Sequence, residues 1–279
     1  MKLTACTRVK LRDGNEMPLF GLGCWAMYGQ EAKHAVEIAM KCGYKMIDTA
    51  AYYKNESDCG SALKGISRQD VFVVTKLDMA QHGYESTKSS FLGHLKELDL
   101  EYVDLFLIHS PTKGKIVDTW KAMIELRDKG LIKSIGVSNF NIQHLKPLKD
   151  SGLEVPAVNQ FEFHPWLQQR EAFDYCQENG IAVMGYTPLA RGQNFEDGKY
   201  PILDQLCKKY GKSKAQIVLR WSLQRQVITI PKSSNPNRIQ ENINIYDFEL
   251  TNEEMNDING MNENRRATTV TAMSSSWTG

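Results

Sequence analysis

The feature that most constrains this chain is the way its short apolar runs end. Tyr44 to Ile47 stops at Asp48, Val71 to Thr75 stops at Lys76, and Leu105 to Ile108 stops at His109. Ser134 to Val137 runs into Ser138 and Asn139, Ala157 to Asn159 into Gln160, and Ala182 to Gly185 into Tyr186. Each run has the length of a strand, and segments with apolar residues at helical spacing lie between them. Such alternation calls for right-handed crossovers and a mostly parallel sheet. In an open sheet these polar strand ends would be strung along a line. In a closed barrel they gather on one rim, where the loops after the strands build a site. The expected fold is therefore α/β, a (β/α)8 TIM barrel.

The remaining segments fit that plan. Phe20 to Leu22 supplies a first strand and Val227 to Ile230 a last one. Helices are expected at Glu31–Cys42, Glu56–Lys64, Tyr84–Leu98, Val117–Lys129, Ile142–Lys149, Gln169–Asn179 and Pro201–Tyr210, with an extra one at Lys214–Leu223. Ahead of them, Asp13-Gly14 between two alternating runs predicts an N-terminal β-hairpin that plugs the barrel. The short C-terminal tail from Asn262 to Gly279 is polar and reads as a loop or frayed end, with folding over the barrel mouth as the alternative. At 279 residues, the span 1–279 suits a single domain.

Composition removes several function classes. Thirty-four basic residues balance 33 acidic ones, which gives no footprint for nucleic acid or an anionic membrane. Six cysteines form no Cys-x-x-Cys pair and no zinc spacing, which fits a reducing compartment and no metal. No run approaches the ~18 apolar residues of a membrane span, and no charged start leads into an apolar stretch. A cytoplasmic monomer acting on a small molecule is expected.

Taken singly, Asp48, Tyr53, Lys76 and His109 have ordinary readings as a cap, a half-buried ring, a snorkelling cation and a satisfied imidazole. On one rim they could work together. Lys76 would stabilise phenolate and lower the Tyr53 pKa, Asp48 would keep the lysine charged, and His109 would orient a substrate oxygen. That set can protonate an oxygen as negative charge develops there, which is the demand of carbonyl reduction by hydride. The neighbouring Tyr52 is expected to point elsewhere. A metal-dependent hydrolase would need more ligands on the rim than Asp48 and His109. His34, His82, His94, His144 and His164 read as surface or packing residues.

The blocks Gly21-Leu22-Gly23, Asp48-Thr49-Ala50 through Tyr53, Thr75-Lys76, Ile108-His109, Gly136 to Phe140, Asn159-Gln160, His164-Pro165, Tyr186 to Leu189 and Ile230 to Ser233 stand in the order of the aldo-keto reductase superfamily, which the chain resembles from end to end. The resemblance implies that Asp48, Tyr53, Lys76 and His109 are a catalytic tetrad and that NADPH is bound extended, without a Rossmann fingerprint. It places Ser138, Asn139 and Gln160 on the nicotinamide carboxamide and Tyr186 on the ring, with Gly23, Cys24, Trp25, Asp48, Thr187 and Leu189 also facing the cofactor. Lys232, Ser233 and Arg238 would grip the 2′-phosphate, helped by free N–H groups at a helix start near Asn235. Glu241 and Asn242 would reach the adenine. Trp25, Tyr53, His109 and Ser110 would form the substrate pocket.

Three positions depart from the family pattern. Cys24 replaces Thr, Thr187 replaces Ser, and Ser110 replaces a tryptophan, which is expected to open the pocket. With the short stretch from Pro111 to Asp118, the chain is similar to microbial and protist members such as diketogluconate reductases and prostaglandin F synthases. The rival from another class is a binding or structural protein that keeps the reductase fold.

Overall fold

A computed structural model describes residues 2–268. Eight parallel strands form one sheet: β3 (Leu22–Gly23), β4 (Met46–Asp48), β5 (Phe72–Leu77), β6 (Val103–Ile108), β7 (Ile132–Ser138), β8 (Val158–Glu162), β9 (Ala182–Tyr186) and β10 (Ile228–Ile230), each paired with the next in sequence. The ends of this row meet through two single bridges, Phe20 to Thr229 and Gly23 to Lys232. A Cβ on Gly23 would lie 2.9 Å from the Ile230 carbonyl oxygen, so glycine is what permits this seam. The strands are apolar throughout because helices cover the sheet outside and side chains fill it inside. Val73, Val74, Leu105, Phe106, Leu107 and Ile108 all have no solvent exposure.

Helices α1 (Gly29–Lys41), α2 (Glu56–Ala62), α3 (Tyr84–Leu98), α4 (Ile116–Asp128), α5 (Ile142–Asp150), α6 (Arg170–Glu178) and α7 (Pro201–Tyr210) follow the strands, with α8 (Lys214–Gln224), α9 (Pro236–Ile243) and α10 (Asn252–Asn259) near the end. The expected barrel is present, and α3 and α7 have their expected bounds. Helix α10 was not anticipated, since its mostly polar sequence shows little periodicity. Its signal is the reciprocal cap between Thr251 and Glu254, which satisfies backbone groups at the helix start.

The hairpin β1 (Arg8–Lys10) and β2 (Glu16–Pro18) closes the end opposite the polar rim. Asn15 Nδ2 donates to the Lys133 carbonyl and to Ser134 Oγ near the start of β7, and Arg12 donates to the Val155 carbonyl ahead of β8. At the other end the tail does not fray at once. The backbone N–H groups of Glu263 and Arg265 both donate to the Trp166 carbonyl, which lays this segment beside the loop after β8. Ser274 to Trp277 lie outside the described residues.

Candidate active site

The strand ends surround a cavity of about 1490 Å³, larger than the ~300–1,000 Å³ usual for one drug-sized ligand. Its walls include Gly23, Trp25, Asp48, Tyr53, His109, Ser138, Asn139, Gln160, Tyr186, Thr187 and Leu189. They continue past β10 to Lys232, Ser233, Arg238, Glu241 and Asn242.

Lys76 sits just behind the wall with no solvent exposure, because the fifth residue of β5 is also the barrel's inner layer at that level. Its ammonium donates to Asp48 Oδ1 at 2.5 Å, to the Thr49 carbonyl at 2.9 Å and to the Tyr53 hydroxyl at 3.1 Å. All three donors of the lysine are thus committed. The other oxygen of Asp48 accepts from Gln160 Nε2 at 2.7 Å. Burial drives Lys76 and Asp48 toward their neutral forms, and their mutual attraction opposes it from both sides. At this separation, with Gln160 and Thr49 satisfying the remaining atoms, the ion pair is the arrangement the geometry supports.

The Tyr53 phenol departs from expectation. Burial, followed by the Asp48 charge, pushes its pKa well up rather than down. The reason is that Asp48 largely cancels the lysine's charge, so desolvation of the phenolate prevails. Tyr53 is therefore held protonated. Burial and the nearby Lys76 charge push His109 well below the usual imidazole range, so its ring is neutral. The rings of Tyr53 and His109 meet edge-on at 5.5 Å.

Trp25 forms a wall beside them, 43% exposed, with its ring edge-on to Tyr53 at 4.8 Å. Tyr52 does not point elsewhere. It lies parallel to Trp25 at 5.9 Å and lines the cavity, because the short helical turn Ala51–Tyr53 puts both tyrosines on the rim. Two other residues are placed away from the walls. Cys24 is fully buried with its thiol toward the Leu22 carbonyl, and Ser110 is fully buried with no partner for its hydroxyl among the described residues. Neither is among the residues that line the cavity, so Ser110 itself is not a wall of it.

Beyond the tetrad, Ser138 Oγ donates to the Gln160 carbonyl at 3.0 Å and Asn139 Nδ2 to the His109 carbonyl at 3.0 Å. The Tyr186 hydroxyl donates to Asn139 Oδ1 at 2.9 Å. These bonds hold Asn139 at φ +61°, a left-handed conformation that asparagine tolerates better than most residues. At the far end, Asn235 caps α9 by accepting from the Asn237 and Arg238 N–H groups, and Pro236 has none to offer. The expected free N–H groups are thus occupied, which leaves the side chains of Lys232, Ser233 and Arg238 as the donors. Glu241 is bonded to the Ser213 hydroxyl. Among the described residues no group of three or more His, Cys, Asp or Glu could hold a metal ion.

A model of the Aldo/keto reductase family matches residues 19–263. A glyoxal reductase of Bacillus subtilis is 46% identical over 262 residues, covering 92% of this chain and 94% of that protein. A 9,11-endoperoxide prostaglandin H2 reductase of Trypanosoma cruzi is 44% identical over 261 residues, covering 92% of each. Among solved structures, an aldo-keto reductase from a Medee basin deep-sea metagenome library superposes with a TM-score of 0.90 at 38% identity, covering 94% of this chain and 97% of that one. A variant of Gox0644 in complex with NADPH superposes with a TM-score of 0.87 at 38% identity, covering 92% and 93%. With fold, rim and relatives in agreement along nearly the whole chain, this protein belongs to the aldo/keto reductase family and is an oxidoreductase acting on carbonyl groups.

Proposed function

We propose that this protein reduces aldehydes and ketones to alcohols with NADPH, with Tyr53 as the proton donor. The observation that carries the reading is the buried Lys76 ammonium, which bonds Asp48 on one side and the Tyr53 hydroxyl on the other. The cavity suits an extended dinucleotide: amide and hydroxyl groups of Ser138, Asn139 and Gln160 line it together with Asp48, Tyr53 and His109, and the basic donors Lys232 and Arg238 line it past β10. When bound there, NADPH supplies the hydride that the carbonyl carbon takes up.

The residues do the rest. A protonated Tyr53 and a neutral His109 can each donate to one substrate oxygen. As charge grows on that oxygen the phenol proton moves to it, and Lys76 stabilises the phenolate left behind. Because Lys76 is already oriented by three acceptors, no reorganisation is needed at that moment. Asp48 fixes the ammonium, and Gln160 fixes Asp48. Trp25 and Tyr52 present flat apolar faces to the part of the substrate next to the carbonyl. Small carbonyl compounds of the glyoxal and methylglyoxal class, for which two relatives are named, are the first substrates to try. We further propose that residues 1–279 act as one domain, as a monomer in the cytoplasm. No described helix is long and apolar enough to cross a membrane.

The test is loss of NADPH absorbance with glyoxal, methylglyoxal and an aromatic aldehyde, each compared with the Tyr53→Phe variant. Tight NADPH binding with no turnover of any carbonyl would favour the binding-protein rival.

A further inference from the structure

A second buried carboxylate on the rim has no part in the chemistry above. Glu162, the last residue of β8, has no solvent exposure. Its Oε1 accepts from the Ala267 N–H at 2.6 Å and the Thr268 N–H at 3.3 Å, and meets His164 Nε2 at 3.1 Å. Its Oε2 accepts from the Thr268 hydroxyl at 2.5 Å and lies 3.7 Å from Arg266 Nη1. Apart from His164, every one of these partners belongs to the C-terminal tail. An ionised carboxylate in that setting is too costly to leave without them. Against the upward push of burial, its pKa is held down by the His164 hydrogen bond first and then by those from Thr268 and Ala267.

The position of Glu162 gives the contact a purpose. It is the register partner of Tyr186 on β9, whose hydroxyl holds Asn139, and both Tyr186 and Thr268 line the reaction cavity. We propose that Glu162 is a positioning residue for the reaction: it fastens tail residues 266–268 to the rim and so sets Thr268, beside Tyr186, as one wall of the substrate mouth. The Gln169 amide, which donates to the Glu162 carbonyl and lies 3.4 Å from Arg266, braces the same corner. The proposal rests on the reductase reading for its kinetic consequence but not for the fastening itself.

Trypsin provides a readout independent of turnover, because the side chains of Arg265 and Arg266 are 43% and 41% exposed while the backbone N–H groups of Arg265 and Ala267 are bonded to the Trp166 carbonyl and to Glu162. Glu162→Gln keeps the shape but removes the charge and one acceptor. It should speed cleavage after Arg265 and Arg266 by about tenfold, the scale of one lost charge-assisted bond. Carbonyl KM should rise by a similar factor, with kcat and NADPH Kd changing less than about twofold. Thr268→Val, which deletes only the tail's hydroxyl, should move both readouts the same way by a smaller factor and guards against a misfolded Glu162 variant. Unchanged cleavage, or acceleration at sites all along the chain, would overturn the fastening. Selective tail cleavage with unchanged KM would overturn its role at the substrate mouth. A chain that binds NADPH but reduces nothing would still report the fastening through trypsin, so failure of the reductase reading is distinguishable.

Discussion

Lys76 donates to the Tyr53 hydroxyl at 3.1 Å from a site closed to solvent. Burial keeps the phenol protonated, which is the form that the proposed role of Tyr53 as proton donor requires. Tyr53→Phe should therefore lower kcat by on the order of a hundredfold to ten-thousandfold. NADPH affinity should hardly change. Tyr52→Phe keeps the ring against Trp25 and loses only a hydroxyl outside this bond network, so kcat should fall less than about threefold. Steady-state kinetics with fluorescence titration of NADPH would check both. A large loss in the Tyr52 variant alone would mean the acid is misassigned.

Lys76→Met should do more than copy Tyr53→Phe. It leaves Asp48 buried with Gln160 as its remaining bonded partner. Removing one member of a buried ion pair costs about 3–5 kcal/mol. Thermal or urea unfolding should show this loss, whereas Tyr53→Phe should unfold near wild type. Equal stability of the two variants would argue against the ion pair.

Ser110 yields an expectation opposite to the one its place in the sequence suggests. Its side chain is fully buried and, among the described residues, its hydroxyl has no partner. Ser110→Ala should then be neutral or slightly stabilising, because it removes an unsatisfied polar group. Ser110→Trp should overpack the site by about 1–3 kcal/mol, lowering Tm, with no selective change in KM for bulky ketones. A selective KM effect in a fully stable tryptophan variant would place the residue on the cavity after all.

The contrast between Ser110 and Lys76 shows what the sequence could and could not tell. Both follow or end apolar runs, so both were legible as strand-end positions, and the barrel followed from that pattern. Whether a strand-end side chain meets the cavity or lies behind it depends on how neighbouring strands stagger, which single-chain spacing does not encode. Cys24 and Ser110 differ from expectation for this reason, whereas Tyr52 does so because the helical turn Ala51–Tyr53 carries both tyrosines onto the rim. Glu162 was overlooked though a signal existed: it stands two residues beyond Gln160 and so shares its face of the strand. The upward shift of the Tyr53 phenol required knowing that Asp48 reaches Lys76 at 2.5 Å, a distance no motif states.

His82 sets an acid limit on stability. It is 2% exposed, and burial together with the Lys115 charge lowers its pKa to about 4. In the unfolded chain a histidine titrates near 6.5. Between these values the unfolded state binds the proton and the folded state does not, so stability is lost as pH falls from about 6.5 to 4 and the loss levels off below. The gap corresponds to about 3 kcal/mol. Urea unfolding of wild type and His82→Gln across this range should show a shallower decline in the variant. Parallel curves would assign the acid loss to other groups.

Coenzyme choice is expected to depend on Arg238. Because Asn235 already accepts from the Asn237 and Arg238 N–H groups, the start of α9 offers an anion its dipole but few open donors. Recognition of a 2′-phosphate would therefore fall to the side chains of Lys232, Ser233 and Arg238 on the cavity wall. The Arg238 guanidinium can meet two phosphate oxygens at once, and NADH has no phosphate there to meet. One charge-assisted contact is worth about 1.5–3 kcal/mol, or on the order of tenfold to a hundredfold in Kd. Arg238→Ala should weaken NADPH by that factor and leave NADH nearly unchanged. Asn235→Ala is the informative companion. Losing the cap should lower stability by about 0.5–2 kcal/mol, while freeing the two N–H groups keeps or improves the preference for NADPH. Fluorescence titration of both coenzymes into the three proteins decides the matter: equal losses for NADPH and NADH in Arg238→Ala would show that this arginine does not read the phosphate.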